Sequence, residues 1–83
     1  MRDRDKARPL NRLRAGQEGR VAYIRTDDRR RLEQLGSLGI VPGAGLHLLQ
    51  NRLAAVVRVG ETEVALDFDI ARQIFVRLGA SSG

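Results

Sequence analysis

Short stretches of alternating apolar and polar residues recur along the chain, in the pattern of strands that bury one face. In the clearest example two stretches flank Gly60: Val57 and Val59 share one face of the first, and Val64 and Leu66 share one face of the second. This spacing predicts a hairpin, and similar stretches predict three further strands. The five predicted strands cover residues 19–26, 46–50, 55–59, 62–66 and 74–77.

The first predicted strand departs from strict alternation. Val21 and Tyr23 have one parity, whereas Ala22 and Ile24 have the other, so apolar side chains face both sides of the strand. A β-bulge, or a strand that is covered on both sides, accounts for such a pattern.

One segment has helical spacing, because Leu32 and Leu35 lie three residues apart behind Asp28. An aspartate suits a helix N-terminus as a side-chain cap and as negative charge at the positive end of the helix dipole. The pattern predicts a short helix over residues 28–35 that ends at Gly36. It also predicts a single helical turn over residues 70–73, capped by Asp69, before the last strand.

Glycine and proline mark the turns between these elements. Pro42 followed by Gly43 is typical of a type II turn, whose third residue needs a positive φ. Gly60 suits the first central position of a type II′ hairpin turn. Gly39, which lies between two apolar residues, is predicted to be a further structural turn residue. Five short strands joined by such turns predict a mostly β fold, a small closed barrel.

Composition and charge narrow the class of protein. The chain has 83 residues and no cysteine, enough for one small domain that packing must stabilise without disulfides. Of the net charge of +5, residues 1–14 carry +4, because they hold six basic and two acidic residues. The rest is nearly neutral, and its three aromatic residues are dispersed, so the sequence predicts no specific nucleic-acid partner. Residues 1–9 are predicted to be a flexible basic leader, and residues 79–83 a disordered tail.

Membrane and secretion signals are absent from the sequence. No apolar run reaches the roughly 20 residues that a membrane span needs. The charged N-terminus lacks the apolar segment of a secretory signal. The sequence therefore predicts a cytoplasmic protein with no membrane insertion.

Side chains that carry out catalysis are scarce. His47 is the single histidine, and without cysteine a transition-metal site on it needs nearby carboxylates. One imidazole on an exposed strand position is more typical of a surface residue, so His47 is a metal-ligand candidate with little support. The serines have no evident base partner, and phosphate-binding loops are absent. We predict no enzymatic activity and no cofactor.

The order of these motifs resembles the FeoA family, small cytosolic proteins of bacterial ferrous iron uptake. The resemblance covers residues 10–78 and rests on three segments, LNRLRAGQEGRV, RRRLEQLGSLGIVPG and EVALDFDIARQIFV. It implies that residues 10–78 form a five-stranded SH3-like β-barrel with one short helix. The same module also forms the C-terminal domain of iron- and manganese-dependent repressors.

The resemblance implies an accessory role, in which the barrel docks on the cytosolic GTPase domain of a FeoB-type membrane transporter. The alternative is an accessory domain of a metal-dependent transcriptional repressor. One departure from the family pattern is the short segment at residues 50–55, where many members have a longer hairpin. We predict a monomer or weak oligomer whose docking surface lies within residues 29–38. The candidate contact residues are Arg29, Arg30, Arg31, Leu35 and Leu38.

Overall fold

The fold of this chain is a single antiparallel sheet with two short helices, and the computed structural model describes residues 6–79. The strands are β1 (Arg8–Pro9), β2 (Glu18–Ile24), β3 (Gly45–Asn51), β4 (Ala55–Val59), β5 (Thr62–Leu66) and β6 (Ile74–Leu78). The α-helices are α1 (Arg29–Ser37) and α2 (Phe68–Ala71), and a 3₁₀ helix (Leu10–Arg12) follows β1. The hydrogen-bonded order of the strands is β1-β6-β2-β3-β4-β5.

The predicted mostly β fold is confirmed, and all five predicted strands are present. The strand count is wrong by one, because β1 pairs with β6, with Arg8 opposite Val76 and Pro9 opposite Phe75. Arg8 and Pro9 therefore belong to the sheet and not to the predicted leader. Within residues 6–79 the pairing ends at β1 and β5, so backbone hydrogen bonds do not close the sheet as predicted. Residues 1–5 of the leader and 80–83 of the tail lie outside the described residues.

The core of the sheet is aliphatic. Val57, Ile74 and Val76 are fully buried, as their alternation predicts. The three aromatic residues are all at least partly exposed, so none of them fills the core. The buried hydrophobic residues are Leu10, Leu13, Val21, Leu35, Ile40, Leu46, Leu48, Ala55, Val57, Leu66, Ala71, Ile74 and Val76.

β2 contains the bulge that its irregular alternation predicts. Its pairing with β6 shifts register between Val21 and Tyr23. Val21 is buried in the core, whereas Tyr23 lies on the outer surface and stacks on Phe75. The two ring centroids are 4.7 Å apart and the ring planes differ by 9°. The extra residue of the bulge thus lets one strand contribute to the core and to an external aromatic pair.

The N-terminus of α1 is capped as predicted. The Asp28 carboxylate accepts a hydrogen bond from the backbone N–H of Arg31 at 3.2 Å. The backbone N–H of Asp28 in turn donates to the hydroxyl of Thr26 at 3.1 Å. The aspartate therefore satisfies one of the free N–H groups of the first helical turn.

The C-terminus of α1 differs from the prediction. The backbone N–H of Ile40 donates to the carbonyl of Leu35 at 2.9 Å, and that of Gly39 donates to the carbonyl of Gly36 at 3.0 Å. This pair of bonds is a Schellman motif, and Gly39 takes its left-handed position with φ of 88°. The prediction that Gly36 ends the helix is wrong, because Gly36 lies inside α1 and Gly39 terminates it.

The turn after α1 is anchored to β2. Gly43 has φ of 93°, and the N–H of Ala44 donates to the carbonyl of Val41 at 2.9 Å, which confirms the predicted type II turn. Gly43 N–H donates to the Val21 carbonyl at 2.7 Å, and Val21 N–H donates to the Ala44 carbonyl at 2.9 Å. These two bonds fix the position of the turn relative to the bulged strand.

The remaining connections follow the sequence closely. Gly60, between β4 and β5, has a φ of 61°, as expected for the first central residue of a type II′ turn. The predicted helical turn is α2, but its N-terminal cap position is Asp67. Asp69, the predicted cap, lies inside the first turn, where its negative charge still favours the helix dipole.

Candidate protein-interaction surface

The first turn of α1 presents two exposed cations. Arg29 and Arg30 are both exposed, and the first turn contains no acidic residue. Positive charge near the N-terminus of a helix is unfavourable, because the dipole is positive there as well. The helix dipole therefore does not stabilise these two exposed side chains.

Arg31 has a structural partner within the chain. Its guanidinium donates a hydrogen bond to the side-chain carbonyl of Gln73 at 2.8 Å, in a partly buried position. Gln73 lies between α2 and β6, so this bond ties α1 to the connection before the last strand. Of the three predicted contact arginines, Arg31 is thus the one held by the fold.

The leucines of this segment have different environments. Leu35 is buried, with 2% of its surface exposed, and belongs to the core. This burial corrects its prediction as a contact residue. Leu32, the other leucine of the helical spacing, is 40% exposed, and Leu38 at the end of the helix is 37% exposed. A helix of this length buries only a narrow stripe of side chains, and Leu35 is the one residue of α1 that is buried in the core.

An apolar residue that the sequence did not single out lies beside Leu32. Val41 is 43% exposed, and a Cβ atom built on Gly36 would lie 3.9 Å from its Cγ1. Arg29, Leu32 and Gly36 have the spacing of one helix side, since each residue advances by about 100°. We call the surface defined by Arg29, Leu32, Gly36 and Val41 the α1 surface. The sequence offered one indication of this role for Val41, because it is an apolar residue that begins the predicted Pro42 turn, and turns usually lie at the surface.

The predicted contact residues do not share one face. Rotation of about 100° per residue places Arg30 on the side of the helix away from Leu32, and Leu38 on the flank opposite Leu32 across the buried Leu35. Of the predicted residues, only Arg29 therefore lies on the α1 surface.

His47 lies in a row of charged residues on the outer face of the sheet. It is half-buried on β3, opposite Glu18 of β2 and opposite Arg58 of β4. Arg58 also forms an ion pair with Glu63 of β5 at 3.1 Å. Within residues 6–79, no group of three or more histidine, cysteine, aspartate or glutamate side chains is placed to hold a metal ion.

A shallow depression of about 590 Å³ lies beside His47. Its lining includes four glycines. The lining residues are Gly16, Glu18, Gly19, Arg20, Gly45, Leu46, His47, Arg58 and Gly60. In the part of the chain that the structure describes, no helix is long and apolar enough to cross a membrane.

Two solved structures resemble this fold closely. One is a crystal structure of the iron uptake regulatory protein FeoA, with a TM-score of 0.79 and 26% identity, covering 87% of this chain and 96% of that one. The other is a manganese-dependent transcriptional repressor, with a TM-score of 0.81 and 31% identity. It covers 87% of this chain, which spans only 41% of the repressor.

A third structure supports the SH3-like description of the fold. It is a zinc complex of FeoA from Stenotrophomonas maltophilia, an SH3 domain protein, at 22% identity with a TM-score of 0.71. The match covers 81% of this chain and 86% of that one. A search of curated protein sequences found no match. The sequence model of the FeoA domain, in contrast, matches residues 8–78, which begin at the first residue of β1 and end at the last residue of β6. The chain therefore belongs to the FeoA family.

Proposed function

We propose that this protein is a non-enzymatic accessory protein of bacterial ferrous iron uptake that docks, in the cytoplasm, on the cytosolic GTPase domain of a FeoB-type transporter. Membership of the FeoA family supports the accessory role in ferrous iron transport. The observation that carries the docking is the α1 surface, where Leu32, one helical turn before Gly36, and Val41, beside Gly36, are both exposed.

The chemistry of the α1 surface suits a protein partner. Burial of exposed apolar side chains against a partner is favourable, because it removes apolar surface from water. Arg29 lies at the edge of this apolar pair, and arginine is enriched at interfaces because its stem packs on apolar surface while its guanidinium pairs with carboxylates. The partner surface is therefore expected to offer an apolar depression with an acidic side chain at its rim.

The first test is a binding measurement with the purified cytosolic domain of the FeoB-type transporter from the same organism. The double variant Leu32→Ser, Val41→Ser is expected to weaken binding by at least about tenfold, or 1.4 kcal/mol. Leu53→Ser is the matched control, because it also replaces an exposed apolar residue but lies outside the α1 surface. If both proteins lose affinity equally, the α1 surface is not the docking site.

A second comparison separates charge from position on the same helix. Arg29→Glu and Arg30→Glu change the net charge equally, and both relieve the same unfavourable interaction with the helix dipole. Only Arg29→Glu is expected to weaken binding, because Arg30 lies on the other side of α1. No detectable binding of the parent protein would contradict docking on the transporter altogether.

A second function is favoured by one observation. The chain is 31% identical to a manganese-dependent repressor over 87% of its own length, so the module also suits a domain of a metal-dependent regulator. An intact-mass measurement on the protein isolated from its native cells distinguishes the two. A mass of about 9.2 kDa supports the accessory protein, and a much larger mass supports the regulator.

A further inference from the structure

The connection between β3 and β4 presents an unusually exposed leucine. Leu53 is 97% exposed, whereas the other exposed large hydrophobic residues within residues 6–79 are between 37% and 44% exposed. Arg52 beside it is exposed as well. A single exposed leucine is common on proteins, so Leu53 points to a binding surface only together with the charged residues around it.

Basic residues from another part of the chain lie at the same end of the sheet. The side chain of Asn51 donates hydrogen bonds to the backbone carbonyls of Asn11 at 3.1 Å and Leu13 at 2.8 Å. The exposed residues Arg12 and Arg14 alternate with these two residues, so they lie next to the connection that carries Arg52 and Leu53. Three exposed arginines, Arg12, Arg14 and Arg52, thus lie at the same end of the sheet as Leu53.

The helix α2 completes this end of the sheet. Leu66 pairs with Ala55 at the start of β4, which brings the following Asp67 and Phe68 near the same connection. Phe68 is 37% exposed and adds a second apolar side chain.

Acidic residues are also present, but they are fewer than the basic ones. Asp69 lies 4.0 Å from Arg72, and Asp67 precedes the helix. With Arg72 counted, this end holds four arginines and two aspartates, so it carries an excess of positive charge. We call it the basic end, and define it by Arg12, Arg14, Arg52, Leu53 and Phe68.

We propose that the basic end binds peripherally to the surface of a bilayer that contains anionic phospholipids. Arginine guanidinium groups pair with headgroup phosphates, and Leu53 inserts at the boundary between headgroups and acyl chains. The exposed Leu53 favours a bilayer over a nucleic acid as the partner, because a bilayer can bury an apolar side chain whereas a phosphate backbone cannot. The protein lies on the membrane in this mode and does not span it, and the proposal is independent of the transporter.

The size of the effect follows from known contributions at membrane surfaces. Each arginine near an anionic surface contributes about a fivefold gain in affinity, which salt screens. Burial of one leucine adds a gain of about tenfold or more. The sum gives weak, reversible binding, since stable anchoring needs further signals.

The experiment is flotation of the full chain with vesicles of phosphatidylcholine alone or mixed with phosphatidylglycerol, in buffer of low ionic strength. We expect retention only on the mixed vesicles, with loss at high salt. Arg12→Glu, Arg52→Glu is expected to reduce retention by at least about tenfold, and Leu53→Ser by at least about fivefold. The charge control is Arg20→Glu, which lies opposite Gly45 at the other end of β3, about 20 Å from Asn51.

Fluorescence gives a direct readout of insertion, because the chain has no tryptophan. Leu53→Trp is expected to shift its emission to shorter wavelength on mixed vesicles. Glu61→Trp, at the turn between β4 and β5, is expected to show no shift although it makes the protein more basic. This control separates insertion of the Leu53 turn from general adsorption.

Three outcomes would overturn the proposal. One is equal retention of the parent and Leu53→Ser, and another is equal emission of Leu53→Trp with and without mixed vesicles. The third is binding to a labelled DNA duplex that is tighter than binding to vesicles and unaffected by Leu53→Ser, which would assign the basic end to nucleic acid.

Discussion

Gly36 and Gly39 lie three residues apart, yet they are expected to respond to alanine in opposite directions. Gly36 lies inside α1, and a Cβ there would make an ordinary contact of 3.9 Å with Val41. Gly36→Ala is therefore expected to stabilise the protein by about 0.5–1 kcal/mol, because alanine loses less backbone entropy in a helix. Gly39 has φ of 88°, and a Cβ there would lie 3.4 Å from Val59 Cγ1. Gly39→Ala is expected to cost about 1–2 kcal/mol.

Urea denaturation followed by circular dichroism measures both changes in the free energy of unfolding. Each variant is the other's control, since the substitution is the same and the segment is the same. A loss of similar size in both proteins would contradict the Schellman assignment at Gly39.

Single residues differ in how far the sequence predicts them. The turn at Gly43 was predictable, because proline fixes the backbone before it and glycine supplies the positive φ locally. The end of α1 was not predictable, because Gly36 and Gly39 are both glycines that could terminate the helix. Burial of Ile40 against Leu35 decides between them, and that contact depends on the assembled core.

At the scale of elements, Asn51 connects the start of the domain to β3. Its side chain donates to the carbonyls of Asn11 and Leu13, on either side of the end of the 3₁₀ helix. Asn51→Ala removes both bonds and is expected to cost about 1–3 kcal/mol, since each contributes about 0.5–1.5 kcal/mol. Gln50→Ala at the exposed neighbouring position is expected to change stability by less than about 0.5 kcal/mol.

Chemical denaturation of the two variants tests this connection. The same removal of a side-chain amide at Gln50 controls for a general effect of alanine on β3. If Asn51→Ala is as stable as the parent, the two bonds do not hold the 3₁₀ helix against the sheet.

The helix α1 shows what element-level patterns can and cannot predict. Two leucines and an aspartate were enough to predict its position and its N-terminal cap, because both depend on local spacing. They were not enough to predict which leucine is buried. The helical spacing is equally consistent with burial of Leu32 or of Leu35. The position of the core under α1 decides between them, because it buries Leu35 and leaves Leu32 on the surface.

At the scale of the whole molecule, β1 is the strand that the pattern of apolar and polar residues could not predict. Two residues are too few to show an alternation, and proline is depleted in strands. Pro9 fits here because β1 is an edge strand that pairs on one side only. The other strands were predictable, since each carries at least two apolar residues that lie in the core or pack against it.

The charge arrangement over the whole sheet leads to the last prediction, which concerns metal binding. His47 has Arg58 opposite it on one neighbouring strand and Glu18 on the other, so a cation there would meet one carboxylate and a repelling guanidinium. We expect titration with ferrous iron under anaerobic conditions to show no stoichiometric site of submicromolar affinity. His47→Ala is expected to leave the calorimetric curve unchanged, with Gln50→Ala as the control. A stoichiometric site that His47→Ala abolishes and Gln50→Ala retains would make His47 a true ligand, with Glu18 as the nearest carboxylate along the row.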